Sequence, residues 1–275
     1  MENARVMSKP CFWYNGQLIE GNSLSLTIDE PGFIYGATVF TTLRVYHQSL
    51  DHPLTHWTNH CHRLQSSLQA FGWQQPDWEQ LRQGAQSLIT LYPVLRITLF
   101  PDGRELIMGR SLPANLAQWQ EQGITAWVAE SSSVKFHRCL PTHKTGNYLS
   151  PWLAKQMAQN MGALEGILVD NHGNWLETST GNLWGWRDGQ WWTPPVEAGI
   201  LPGVMRSHLI QWLTCQNQRV REEPWSPELV GQLEAIAYTN CVVDVVPIHR
   251  VIQGNSERVY DPLHPVFQDL RKVKY

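Results

Sequence analysis

His143-Lys144-Thr145-Gly146-Asn147-Tyr148-Leu149 decides how this chain is read. A Thr-Gly-Asn turn follows the lysine, and an apolar-periodic helix begins directly after it. Leu149, Leu153, Met157 and Met161 keep helical spacing, and Gly162 closes the run. The other lysines, Lys9, Lys135, Lys155, Lys272 and Lys274, mostly lie in polar or terminal surroundings. A lysine at such a junction can point its amine into a cleft. Desolvation there lowers its pKa, and a neutral amine condenses with an aldehyde to a Schiff base. On this stretch alone a solvated surface lysine is the better account, because most lysines are solvated.

The neighbourhood reads as alternating strands and helices. Downstream, strands are expected over 165–170 and 175–186, joined by the turn Asp170-Asn171-His172-Gly173-Asn174. Arg187-Asp188-Gly189-Gln190 is a hairpin turn before Trp191-Trp192-Thr193. Gly203 opens a helix with Leu209, Ile210 and Leu213 inward, and 235–240 is a strand. Upstream, 124–130 is a strand and 112–123 a polar connection. Residues 94–100 read as a strand turned by Pro101-Asp102-Gly103-Arg104, and 78–91 as a helix. Trp57, Cys61, Leu64, Leu68 and Phe71 fall on one face of a helix that Gly72 ends, with Arg63 at its flank. Residues 35–46 form a β-branched, aromatic strand, Asp29-Glu30-Pro31-Gly32 a turn, and 11–19 a hairpin on Asn15-Gly16.

At 275 residues and 42% hydrophobic content, the chain has room for one large or two smaller cores. A net charge of −3 points away from nucleic acid and anionic membrane as partners. No apolar stretch follows the first residues, so no signal peptide is expected, and no run is long enough to span a bilayer. The five cysteines are odd in number and scattered, which fits reduced thiols in a cytoplasm. His56 and His60 have a zinc-compatible spacing, but no third ligand sits nearby and no metal is assigned. Fourteen tryptophans leave open a different class of function, an aromatic- or sugar-binding module with Trp184, Trp191 and Trp192 as its platform.

Four motifs in order carry a resemblance. His60-Cys61-His62-Arg63-Leu64, the Lys144 stretch, Trp175-Leu176-Glu177-Thr178-Ser179-Thr180-Gly181-Asn182 and Leu201-Pro202-Gly203-Val204-Met205-Arg206 together resemble the class IV aminotransferases. These are the fold-type IV pyridoxal-phosphate enzymes, and the resemblance runs from about Trp13 to about Val251. It implies an α/β (α+β) fold of two domains with the cofactor in the cleft between them, and a homodimer. The domains would be 1–113 and 124–275, with 114–123 as linker.

The resemblance also implies roles. Lys144 would bind the aldehyde of pyridoxal 5′-phosphate, then act as general base and acid. Glu177 would keep the pyridine nitrogen protonated. Tyr148 would serve the phenolic oxygen. Arg63 and the helix N-terminus at Val204 and Met205 would take the phosphate, with hydrogen bonds from Ser179, Thr180, Asn240 and Cys241.

Within the family, three subgroups compete. D-amino acid aminotransferases usually carry an Arg-x-His pair where this chain has Phe100-Pro101-Asp102-Gly103. Branched-chain aminotransferases usually carry Val-Phe-Glu-Gly where this chain has Val39-Phe40-Thr41-Thr42. That row, Val204-Met205-Arg206 and Thr239-Asn240 resemble the 4-amino-4-deoxychorismate lyases. Arg96, Asn147-Tyr148 and Leu201-Pro202 resemble the branched-chain enzymes. The balance favours the lyase, acting on a small-molecule substrate. Thr41 or Thr42 would assist proton delivery to the leaving pyruvate, and Arg96, Arg104 or Arg110 would hold the substrate carboxylates.

Overall fold

The structure is a computed structural model that describes residues 10–130, 136 and 138–272. The chain divides into two compact units. The first holds the described residues up to Ser111 together with Thr145–Asn147; the second holds the remainder.

In the first unit, a hairpin joins β1 (Cys11–Tyr14) to β2 (Gln17–Glu20). Asn15 and Gly16 between them have φ of 46° and 80°, the left-handed pair that a two-residue antiparallel turn demands. Residues 29–32 form more than a turn. The Glu30 carboxylate accepts from the Gly32 amide and caps a short helix, α1 (Pro31–Ile34). The next strand, β3 (Val39–Arg44), starts later than its composition suggests. Gly36 is left-handed at φ 63°, and a Cβ there would meet the Asn147 backbone nitrogen at 2.9 Å, so extended geometry waits until that contact is passed.

Helix α2 (Trp57–Phe71) stops at left-handed Gly72, as the sequence predicts. Helix α3 (Trp78–Leu88) is capped by Asp77, which accepts from the amides of Glu79 and Gln80. With β4 (Val94–Leu99) and β5 (Glu105–Arg110), the strands make an antiparallel sheet in the order β2-β1-β5-β4-β3. Leu43, Leu64, Leu68, Leu81, Leu88, Leu95 and Ile97 meet in its core. Each is worth about 1.5–3 kcal/mol of burial.

The second unit begins at Leu112, just before the expected linker. Residues 112–123 are not a plain connection: α4 (Leu116–Gln122) forms there, and buried Leu116 and partly buried Trp119 join the unit's core. Strand β6 (Ile124–Val128) follows, then α5 (Leu149–Asn160), β7 (Glu165–Val169), β8 (Trp175–Thr178), β9 (Asn182–Arg187) and β10 (Gln190–Thr193). After these come α6 (Val204–Cys215), β11 (Val220–Glu222), α7 (Pro227–Val230), β12 (Ala235–Asn240), β13 (Asp244–Gln253), β14 (Ser256–Val259) and α8 (Phe267–Arg271).

The sheet runs β11-β10-β9-β12-β13-β6-β7-β8, with β14 on β13. Because β8 also pairs with β9, the path β9-β12-β13-β6-β7-β8 closes on itself. Both units are thus mixed α/β, as the sequence predicts.

Two details differ from the sequence reading. Residues 175–186 are two strands, not one. The Thr178 hydroxyl accepts from the Gly181 amide and the Ser179 amide leaves for the Gly166 carbonyl, which turns the chain at Ser179-Thr180-Gly181. Helix α5 buries Pro151, Ala154 and Ala158, while Leu149 and Met161 are exposed. Small residues win that face because β7 passes close: a Cβ on Gly166 would lie 2.8 Å from the Ala154 carbonyl.

The tryptophan platform is overturned. Trp184 and Trp191 are fully buried, packed edge to face with ring centroids 6.2 Å apart, and Trp192 is shared between Arg187 and Arg221. Among the described residues, no helix is long and apolar enough to cross a membrane.

Candidate active site

In the second unit Lys144, Tyr148, Arg138 and Glu177 form one cluster. Tyr148 stands at the N-cap of α5, and the Lys144 Nζ lies 5.0 Å from its ring centroid. The Tyr148 hydroxyl donates to the Ser179 carbonyl at 2.7 Å and accepts from Arg138 Nη2 at 3.1 Å. Arg138 Nε lies 2.7 Å from Glu177 Oε1, an ion pair between side chains 7% and 2% exposed. Neither atom has an aligned hydrogen-bond partner, so charge holds them together. The other Glu177 oxygen accepts from the Leu201 amide at 3.3 Å.

Burial pushes the Glu177 carboxyl above its usual range, and the Arg138 and Lys144 charges oppose that. Burial likewise raises the Tyr148 phenol against the pull of Arg138, which keeps its proton on through neutral pH.

A second buried carboxylate adjoins this cluster. Glu165, 1% exposed, accepts from Lys155 Nζ and Thr180 Oγ1, both at 2.8 Å, and from the Ser179 hydroxyl. Both hydroxyls of the β8–β9 turn are therefore bound to Glu165. Asn240 reaches the same turn, its Nδ2 donating to the Thr180 carbonyl at 3.3 Å. Its Oδ1 accepts from the Val242 and Val243 amides. Cys241, half-buried, packs against the cluster that contains Met205.

The third component is the N-terminus of α6. Gly203 is its N-cap and supplies no side-chain cap, so the first-turn amides at Val204 and Met205 lack that partner. Asn182 Nδ2 donates to the Leu201 carbonyl at 2.8 Å, while Leu201's own amide serves Glu177. A Cβ on Gly203 would fall 2.1 Å from Asn182 Oδ1. Arg206 is 3% exposed and bound to Thr193, the Pro194 carbonyl and Glu222, so it fastens α6 to β10 and β11.

In the first unit, Thr41 Oγ1 is fully buried, 2.5 Å from His60 Nδ1, and accepts from Arg63 Nη2 at 2.6 Å. Thr42 is half-buried and faces Arg96 across the β3–β4 ladder. The Arg96 guanidinium lies 3.6 Å from the Phe40 ring centroid. Arg104 is engaged at all three nitrogens, by Asp102, Tyr14 and Glu30, each at 2.6 Å.

The sequence reading missed Arg138, Glu165, Asn182 and His60 as members of these clusters. Only Glu165 carried a clear signal: it opens the otherwise apolar run Glu165-Gly166-Ile167-Leu168-Val169, where a carboxylate demands partners.

The family model described as amino-transferase class IV matches residues 38–251. The branched-chain-amino-acid aminotransferase of Escherichia coli K12 is 24% identical over 261 residues, 87% of this chain and 84% of that one. The aminodeoxychorismate lyase of Vibrio harveyi is 23% identical over 252 residues, 86% and 90% of the two chains. A crystal structure of the E. coli branched-chain aminotransferase superposes with a TM-score of 0.80 at 24% identity. It covers 96% of this chain and 93% of its own.

Proposed function

Because the chain belongs to the class IV aminotransferase family, whose enzymes work with pyridoxal 5′-phosphate, we propose that it is a 4-amino-4-deoxychorismate lyase. It would form 4-aminobenzoate and pyruvate for folate synthesis. The residues of the second unit fit that cofactor. Glu177 Oε1 is a buried carboxylate oxygen without an aligned donor, which suits a ring N–H. Lys144 offers the amine, and the α6 N-terminus offers amides to a phosphate. When bound, the cofactor supplies an electron sink conjugated to the substrate's amine-bearing carbon.

This chain's residues do the rest. Lys144 removes the proton from the amine-bearing carbon of the substrate. The bond from the ring to the enolpyruvyl oxygen then breaks, the ring becomes aromatic, and the enol of pyruvate takes a proton. Glu177 would hold positive charge at the ring nitrogen, and Arg138 opposes the burial that favours the protonated form of Glu177. Tyr148, whose hydroxyl is bound to Arg138, would serve the phenolic oxygen of the cofactor. Arg63, whose Nη2 donates to the buried Thr41 hydroxyl, would be the charged partner for phosphate that the family resemblance implies. Since Thr41 is committed to Arg63 and His60, half-buried Thr42 is the residue we assign to proton delivery at the leaving group.

The observation that carries the lyase reading is the β3 row, where Thr41 and Thr42 replace the Glu-Gly of the branched-chain pattern. Arg96 on β4 favours the branched-chain reading instead. Two assays separate them. Purified protein given aminodeoxychorismate alone should form 4-aminobenzoate and pyruvate through many turnovers. Fast transfer between leucine and 2-oxoglutarate, with no aminobenzoate from the first assay, would reject the lyase.

A further inference from the structure

We propose that Lys155 is a positioning residue of the cofactor site: it neutralises buried Glu165, and Glu165 in turn fixes Ser179, Thr180 and, through the Ser179 carbonyl, Tyr148. The inference rests on reading Lys144, Tyr148 and Glu177 as the cofactor site.

Lys155 lies on α5, six residues past the end of the Lys144 motif, and its side chain is 32% exposed. An ion pair between two surface side chains would be worth almost nothing. Here the partner is not on the surface. Glu165 is 1% exposed, and its donors are one ammonium and two hydroxyls. Without Lys155 the buried carboxylate would keep only the two hydroxyls, and an uncompensated buried charge is strongly destabilising. The carboxylate held by two hydroxyls alone is free to shift, and the Ser179-Thr180 turn bound to it shifts too; the Ser179 carbonyl that accepts from the Tyr148 hydroxyl belongs to that turn.

The groups facing Glu165 come from three elements. They are Lys155 from α5 and Tyr148 at its N-cap, Ser179 and Thr180 from the β8–β9 turn, and Tyr238 from β12. Among these only Lys155 carries positive charge.

The test uses apoprotein titrated with pyridoxal 5′-phosphate across the neutral range, read by visible absorbance and tryptophan fluorescence. Relative to wild type, Lys155→Met should bind about tenfold more weakly, because the buried Glu165 carboxylate loses the cation 2.8 Å from it. Lys155→Arg should bind like wild type. In a Glu165→Gln background the charge that Lys155 serves is gone. Adding Lys155→Met there should leave affinity unchanged, and this pair remains decisive if the single variant does not fold.

Wild-type affinity in Lys155→Met, or a Lys155→Arg variant that binds as weakly as Lys155→Met, would overturn the inference. So would a further loss of affinity when Lys155→Met is added to Glu165→Gln. Failure of the site reading has a different signature: wild-type protein that gains no visible absorbance, or Lys144→Ala protein that keeps it.

Discussion

Replacing Glu177 with glutamine tests the electron-sink assignment through two separate quantities. The side chain keeps its shape, and an oxygen can still accept from the Leu201 amide at 3.3 Å. What disappears is the charge 2.7 Å from Arg138, a guanidinium only 7% exposed. Breaking a buried pair by removing one partner costs about 3–5 kcal/mol, and the retained hydrogen bond puts this variant near the low end, about 3 kcal/mol. For a chain of this size that lowers Tm by roughly 6–12 °C.

The chemical effect is separate. A hydrogen bond to a charged group is worth about 1.5–3 kcal/mol, and a tenfold rate change is about 1.4 kcal/mol. Turnover of folded, cofactor-loaded variant should therefore fall roughly ten- to hundredfold. The assay is 4-aminobenzoate release by cofactor-saturated protein well below its melting range, with a calorimetric scan beside it. A variant with unchanged Tm and full turnover would refute both the buried pair and the ring-nitrogen role.

Two further substitutions probe the other end of the cofactor. Arg63→Ala should weaken cofactor binding roughly ten- to hundredfold, the loss of one charge-assisted contact, and more than Glu177→Gln does. A spectroscopic titration reads the difference, and equal retention in the two variants would contradict the phosphate role of Arg63. Gly203→Ala puts a methyl 2.1 Å from Asn182 Oδ1 in a buried setting. It should cost about 1–3 kcal/mol of stability and impair cofactor binding, whereas unchanged binding and Tm would show that the turn before α6 has room to spare.

Much of the fold was legible because its signals are local. The Asn15-Gly16 and Asp188-Gly189 turns, the Gly72 stop of α2 and the strand at 235–240 each follow from chemistry within a few residues. The misses arose where distant backbone decides. Residues 175–186 are continuously strand-like, yet the Gly166 carbonyl draws the Ser179 amide aside and breaks them. The Leu149–Met161 stripe on α5 is periodic, but close passage of β7 selects alanines for the inner face.

The same division runs through the site. Lys144, Tyr148 and Glu177 sit in recognisable strings, and the structure brings them within one cluster. Arg138, Glu165 and Asn182 act through partners ten or more positions away, as Lys155 does toward Glu165, so local sequence does not name their partners, although Glu165 is conspicuous as the carboxylate that opens an apolar run.

The central claim is that Lys144 carries the cofactor. Borohydride reduction of the cofactor-loaded protein fixes the cofactor on whichever lysine holds it, and peptide mapping then identifies that residue. The account predicts a single modified peptide bearing Lys144, and loss of both modification and visible absorbance in Lys144→Ala. A label on Lys155, whose amine is bound to Glu165 at 2.8 Å, or on Lys135 would contradict it.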